Sequence, residues 1–376
     1  MVSLCVIVYL ISMPSRSTEL NGNSTPTTTK RSPNPLAFWQ ESEADEFKPA
    51  IAWLMSYPNS GTSYTMTCVE STTNRSTASN YGDEVTAKDD FSLPIYPGHP
   101  EGPYWKGLYG KIGQIRPLPK GYVLVKTHCG SRCVRCPPEQ YVETYQSYLD
   151  ACRNSTARLA PERKRVSFLY DENRVKKAIH LIRNPFHNFV ARFHLDWKHF
   201  KEKGDDAWIK EHPSDPVGFQ KWCMDLDNQF EKEEYETFEY YMVKQLRLSI
   251  CHGEVFKYIQ WHNLAFQVTR KLGLNPMVIH YEDYYEDKFN NTLDDMLDYL
   301  ELDGILPPKK QFHAKDGDYA RYYTFLDKRR IKLLVEKIAS ADTWDAIKHY
   351  FDKNASIHDT DLSASHDVGK PPIGDK

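Results

Sequence analysis

The chain has 376 residues and a mass of 43.8 kDa, and its 40% hydrophobic and 13% aromatic content suffices for the core of one large α/β domain or two small ones. The formal net charge is -3, so no global basic field marks nucleic acid as a partner. Any phosphate binding must therefore come from basic groups placed locally.

Residues 2–13, VSLCVIVYLISM, are almost wholly apolar but fall short of the roughly 20 residues that a spanning helix needs. They read as a signal-peptide core without its basic start, or as the remnant of a membrane anchor. Residues 14–35 are rich in Ser, Thr, Asn and Pro without a hydrophobic period, which predicts a flexible stem. A folded domain over 36–354 and a polar, disordered tail over 355–376 complete the expected layout. Leader, stem and domain in that order are the plan of a protein of the secretory pathway, in the Golgi lumen; a cytoplasmic chain is the alternative. Sequons at Asn23, Asn74, Asn154, Asn290 and Asn354 point the same way.

The folded region centres on an apolar run from Ile51 that stops at Tyr57-Pro58-Asn59-Ser60-Gly61-Thr62-Ser63 and resumes as a helix. A strand, a tight turn and a helix start leave several backbone N–H groups aimed at one spot, which suits a phosphate or sulfate. Gly61 permits close approach, and Ser60, Thr62 and Ser63 add hydroxyls. A Walker loop requires Gly-Lys-Ser/Thr after Gly and four residues, and no such run occurs, so the kinase and ATPase reading loses its central motif.

Residues 71–120 are polar or broken by Pro and Gly and predict loop and irregular chain. Tyr122 to Val125 then reads as a buried parallel strand running into Lys126-Thr127-His128, polar residues at the carboxyl end where α/β sheets bind ligands. Alone, His128 reads as a hydrogen-bonded strand-end residue; its position one strand after an anion loop favours a functional reading instead. Of the eight cysteines, Cys129, Cys133, Cys136 and Cys152 cluster in an insertion over 129–174. Disulfides, a zinc site and free buried thiols are the three readings, and an oxidising compartment favours disulfides. The basic run Arg158 to Arg165 is a solvated face or a selector of anionic acceptors.

Ala178 to Ile182 reads as a strand ended by Arg183-Asn184-Pro185, with Arg183 offering a planar fork of donors for phosphate oxygens. Helical spacing dominates Asp215 to Leu272, with Glu231 to Glu239 as an exposed acidic face. Met277 to His280 is a further strand, and Tyr281-Glu282-Asp283-Tyr284 reads as a corner whose carboxylates satisfy backbone donors and cap the helix Thr292 to Leu300. Arg329 to Phe351 closes the domain with helix.

Four ordered segments resemble the sulfotransferase superfamily, covering Tyr57 to Thr324. Tyr57 to Tyr64 is similar to its phosphosulfate loop, Tyr-Pro-Lys-Ser-Gly-Thr-Thr-Trp, with Asn59 in place of the Lys. Lys126-Thr127-His128, the strand with Arg183-Asn184-Pro185, and Tyr281-Glu282-Asp283 match the others. The resemblance implies a P-loop nucleoside triphosphate hydrolase-like fold, a three-layer α/β/α arrangement around a parallel sheet. It implies 3'-phosphoadenosine 5'-phosphosulfate as co-substrate, without a metal, and transfer to a hydroxyl or amine of a glycan, a phenol or a protein side chain. By resemblance, His128 is the base, Lys126 offsets charge on the bridging oxygen, and Asn59, Ser60, Gly61, Thr62 and Ser63 hold the phosphosulfate. Tyr64 stacks on adenine and Arg183 grips the 3'-phosphate. The family's second 3'-phosphate contact, a Ser, is here Ala191, with Arg192 beside it as a substitute. Gly317-Asp318-Tyr319 and Tyr323-Thr324 resemble two further family segments, but the preceding Arg-Lys-Gly is replaced by Phe312-His313-Ala314, with Lys315 the nearest positive charge. These departures keep open a nucleotide-binding protein without turnover, and the cysteine insertion keeps open an interaction module.

Overall fold

The computed structural model describes residues 36–38, 49–81, 84–87, 90–94, 116–130, 140–159, 164–285, 287–306 and 316–353. The leader, the stem, the tail, Asn23, Cys133, Cys136, Phe312 to Lys315 and Asn354 lie outside them.

The described strands are β1 (Leu36–Phe38), β2 (Ala50–Ser56), β3 (Ala78–Ser79), β4 (Glu84–Ala87), β5 (Asp90–Pro94), β6 (Tyr122–Thr127), β7 (Asn154–Leu159), β8 (Lys164–Leu169), β9 (Val175–Ile182) and β10 (Met277–His280). Seven of them form the central sheet in the order β10-β9-β2-β6-β3-β5-β4, with every neighbour parallel except β4 against β5. The chain is thus an α/β protein built on a mainly parallel sheet.

Strand β2 lies inside this sheet, and each residue from Ile51 to Ser56 is buried, as an uninterrupted apolar run covered on both faces must be. Successive side chains alternate between faces. Ile51, Trp53 and Met55 join one core with helices α3 (Pro185–Lys203) and α5 (His252–Lys271), labels that follow α1 (Thr62–Thr73) and α2 (Tyr145–Arg153) and bracket α4 (Pro216–Gln229). Ala52 and Leu54 join the other with α1 and α6 (Phe289–Leu300), whose Leu293, Met296, Leu297 and Leu300 form a single buried stripe. Helices on both faces make three layers.

Ladder register sets the site. Met55 of β2 stands opposite Thr127 of β6 on one side and His180 of β9 on the other, so the three strands end level. After β2 the chain builds β3 to β6 on one flank and later crosses to β9 on the other, and a crevice opens at the carboxyl ends where such a switch occurs.

Several expectations for the middle of the chain change. Helix α1 continues to Thr73, and Ala78–Ser79 extends the sheet beside Val125 and Lys126, a two-residue strand too short to show a pattern. Asp90–Pro94 pairs with both β3 and β4 and is not irregular chain. The insertion contains α2 and a β7–β8 hairpin, which joins β1 in a second sheet of order β1-β8-β7. Cys129 is disulfide-bonded to Cys152, and Cys223 to Cys251, while Cys68 is a buried thiol. Among the described residues no cluster of three His, Cys, Asp or Glu side chains could hold a metal ion, so the zinc reading finds no support at Cys129 or Cys152. Glu234 departs from the exposed acidic face: it is fully buried, accepting hydrogen bonds from Tyr141 (2.9 Å) and His252 (2.9 Å).

Among the described residues no helix is long and apolar enough to cross a membrane. Asn74, Asn154 and Asn290 are all exposed.

Candidate functional site

The turn after β2 has the shape its residues require. Asn59 takes φ 66° and Gly61 φ 95°, left-handed conformations that Asn tolerates and Gly adopts freely. Gly61 has a second reason to be Gly, because a Cβ there would lie 2.5 Å from the Tyr281 ring. Gly61 is also the N-cap of α1, and among the described residues no side chain caps the helix. The first-turn amides, which have no acceptor within a helix, therefore face the crevice with the positive end of the α1 dipole.

Around this turn lies a cleft of about 450 Å³ lined by Asn59, Gly61, Thr62, Ser63, Tyr64, Lys126, His128, Arg183 and neighbours. Eight of the nine candidate site residues read from the sequence thus meet in one place. Ser60 is the exception: it is fully buried, and Asn188 donates to its Oγ at 3.2 Å while also donating to the Pro58 carbonyl at 2.9 Å. Its hydroxyl serves the turn and not the cleft.

At one end stands Arg183, which donates to the Asn59 carbonyl at 2.8 Å and lies over the Tyr281 ring at 4.4 Å. Gly61, Tyr281 and Arg183 form a stack, and the guanidinium is held by a hydrogen bond and a cation–π contact at once. Asn184 and Pro185 start α3 immediately afterwards, with the Asn184 side chain accepting from Phe186. Ala191 and Leu195 also line the cleft. Arg192 does not substitute for the missing hydroxyl. It is buried, ion-paired with Glu254 at 2.6 Å, and lies over Tyr57 at 4.8 Å.

At the other end are Lys126 and His128, both half-buried. His128 Nδ1 lies 2.8 Å from the Ser56 carbonyl, which only accepts, so the proton sits on Nδ1 and the lone pair on Nε2. Tyr81 stacks on the imidazole, with centroids 5.6 Å apart, and its hydroxyl accepts from the His128 amide at 2.6 Å. Lys126 lies 5.8 Å from the same Tyr81 ring. Thr62 Oγ1 is 2.5 Å from Ser56 Oγ, which links the loop to this end. The next residue, Cys129, is fastened through its disulfide to the end of α2, and the Cys152 carbonyl accepts from Asn80, Thr127 and Tyr170.

Tyr64 lines the cleft half-buried, its ring edge-on to Tyr284 at 5.3 Å. Burial, then the Cys68 thiol beside it, pushes its phenol well up, so the ring stays neutral. Tyr281-Glu282-Asp283 forms a 3₁₀ corner as expected: Glu282 accepts from the Asn184 amide (3.0 Å) and Tyr350 (2.5 Å), and Asp283 from the His280 amide (3.1 Å). It does not cap α6, whose N-cap Lys288 makes no side-chain cap. Burial raises the Glu282 carboxyl above its ordinary range. Tyr323 is buried with its hydroxyl on the Phe186 carbonyl (3.0 Å), and Thr324 caps the final long helix, Phe325–Ile338.

Sequence reading missed Ser56, Tyr81, Asn188 and Tyr281 as site-forming groups. Tyr281 alone carried a signal, since it directly follows strand β10 as Arg183 directly follows β9; the other three are recognised only by what they touch. A second cavity, of about 500 Å³, lies beside Val278 and Ala346, but its cation Arg270 is ion-paired to Asp342 across it.

Fold and site together define an α/β protein with a polar cleft at the carboxyl edge of its sheet, cationic at both ends and floored by helix-start amides. No protein-family model matches the chain, and a search of curated proteins found no match.

Proposed function

We propose that this chain is a sulfotransferase of P-loop-like fold that moves the sulfuryl group of 3'-phosphoadenosine 5'-phosphosulfate to an acceptor hydroxyl or amine. The observation that carries the reading is the convergence of the 57–63 turn, Lys126 with His128, and Arg183 at one sheet edge, from segments far apart in the chain. Open amides, two cations at opposite ends and a base of fixed tautomer suit a ligand that is anionic at both ends and reactive at one.

In this reading His128 Nε2 takes the acceptor proton as the acceptor oxygen or nitrogen bonds to sulfur and the bond from sulfur to the bridging oxygen breaks. Lys126 and the amides of Gly61 to Ser63 stabilise the charge that collects on that oxygen, which stays with the departing adenosine bisphosphate. With Asn59 in place of a lysine, Lys126 carries more of this work. Arg183 holds the 3'-phosphate by its fork, without a hydroxyl from position 191. Tyr64 supplies a neutral ring for adenine.

The expected acceptor is a glycan, and the expected location is the secretory pathway, on the strength of the disulfides and the exposed sequons. Mass spectrometry of a panel of glycans, phenols and peptides incubated with the donor tests this, one added sulfuryl group on any member being the expected result. Ala191 in the cleft and the commitment of Arg192 to Glu254 favour a second reading, a nucleotide-binding protein without turnover. Calorimetric binding of adenosine 3',5'-bisphosphate with no product from the whole panel would select it.

A further inference from the structure

Three side chains on one face of α5 each hold a different part of the cleft. Glu254, Tyr258 and Trp261 follow a spacing of four and three, which aligns them along the helix. Glu254 accepts from the Tyr57 hydroxyl at 3.2 Å, where the loop begins. Tyr258 donates to the Arg183 carbonyl at 2.7 Å. Trp261 Nε1 donates to the His128 carbonyl at 2.6 Å. All three are fully buried, as is Tyr57, whose ring meets Tyr258 and Trp261 edge-on at 5.3 and 6.2 Å.

The row is anchored at its base. Burial alone would raise the Glu254 carboxyl, but Arg192 and Lys257, each 2.6 Å away, bring it down to about 2, so it remains a charged acceptor. At the His128 end the backbone is clamped twice, with its amide on Tyr81 and its carbonyl on Trp261. Strand register brings the three segments level, and these side chains fix each of them beyond the last ladder bond.

We propose that Tyr258 and Trp261 are positioning residues acting on opposite ends of the cleft, Tyr258 on nucleotide affinity through Arg183 and Trp261 on proton transfer through His128. The assignment of ends rests on the sulfotransferase reading; the ties themselves do not.

Tyr258→Phe removes one hydroxyl, and 3-benzothienylalanine in place of Trp261 removes one N–H without changing ring size; Trp261→Phe is the genetic counterpart. In the full chain, Tyr258→Phe is expected to weaken adenosine 3',5'-bisphosphate binding about fivefold to tenfold in calorimetry, with turnover at saturating donor within about twofold of the parent. The Trp261 variants are expected to show the reverse: unchanged nucleotide affinity, turnover lowered about fivefold to tenfold, and displaced His128 ring resonances in NMR. Equal losses of affinity and turnover in both variants, tracking a common fall in Tm, would reduce the row to packing and overturn the proposal, as would no change in either. Parent protein that binds no nucleotide overturns the sulfotransferase reading instead. The ties are then judged on NMR alone, with His128 signals moving in the Trp261 variant and not in Tyr258→Phe.

Discussion

Replacing Gly61 by Ala tests the loop geometry most directly. At φ 95° an alanine is in the left-handed region, which costs about 1–2 kcal/mol for a residue with a Cβ. The new Cβ would also lie 2.5 Å from Tyr281 Cδ2, so the ring must swing away, and with it goes the surface on which Arg183 rests at 4.4 Å. A total of roughly 2–3 kcal/mol, spread over a domain of this size, lowers Tm by roughly 4 °C. Nucleotide affinity should fall about tenfold or more, since the amides and Arg183 are displaced together. Gly204→Ala supplies the control: φ is 72°, but nothing lies within 4 Å of its Cβ, so it bears the backbone cost alone. Differential scanning calorimetry and titration calorimetry on both variants read the two contributions separately. Equal Tm shifts in the two, with nucleotide binding intact in Gly61→Ala, would refute the account of Gly61 as a required close approach.

Further expectations concern the charges and the crosslink. Lys126→Ala should abolish turnover while donor affinity falls only modestly, and near-normal turnover would remove Lys126 from the mechanism. Glu254→Gln leaves Arg192 and Lys257 without their shared counter-charge and should destabilise the fold by about 3–5 kcal/mol, read as a lower urea midpoint at unchanged slope. Burial lowers His180 to about 3 and, with His349 nearby, His280 to about 4, so the stability they confer as neutral groups is full above pH 6.5 and is lost as pH falls towards those values. His252 acts oppositely: burial would lower it, but Asp227 and Glu234 raise it to about 9, so its contribution is full below pH 6.5 and disappears as pH rises through 9. Urea midpoints should therefore peak near pH 6.5 and fall on either side. Cys152→Ser opens the crosslink to Cys129, and should cost roughly 3 kcal/mol and lower turnover through the adjacent His128.

Strand ends were the legible part of this sequence. Ile51 to Ser56, Tyr122 to Val125 and Met277 to His280 are short apolar runs stopped by polar residues, and each became a parallel strand ending in the cleft or beside it. Direction within the turn was not legible: Ser60 and Thr62 are both hydroxyl residues two positions apart, yet Asn188 draws the first inward while the second lines the cleft. Arg192 stands next to Ala191, and on an α-helix adjacent residues point about 100° apart, so one faces the cleft and the other the core. The β7–β8 hairpin is paired along its length, but its polar and basic sequence shows no clean alternation. Long-range partners such as Tyr81 for His128 and Trp261 for the His128 carbonyl carry no local pattern at all.

Because Ser56, His128 and Arg183 are located by the ladder between β2, β6 and β9, sheet register sets their spacing, and the joining chain contributes only the local clamps of Tyr81 and Cys152 at the His128 end. The sheet serves as a jig, and a few connector residues act as its clamps. Nature or an engineer can vary the remainder of the segments between the strands, and so redesign what enters the cleft while its chemistry stays where it is.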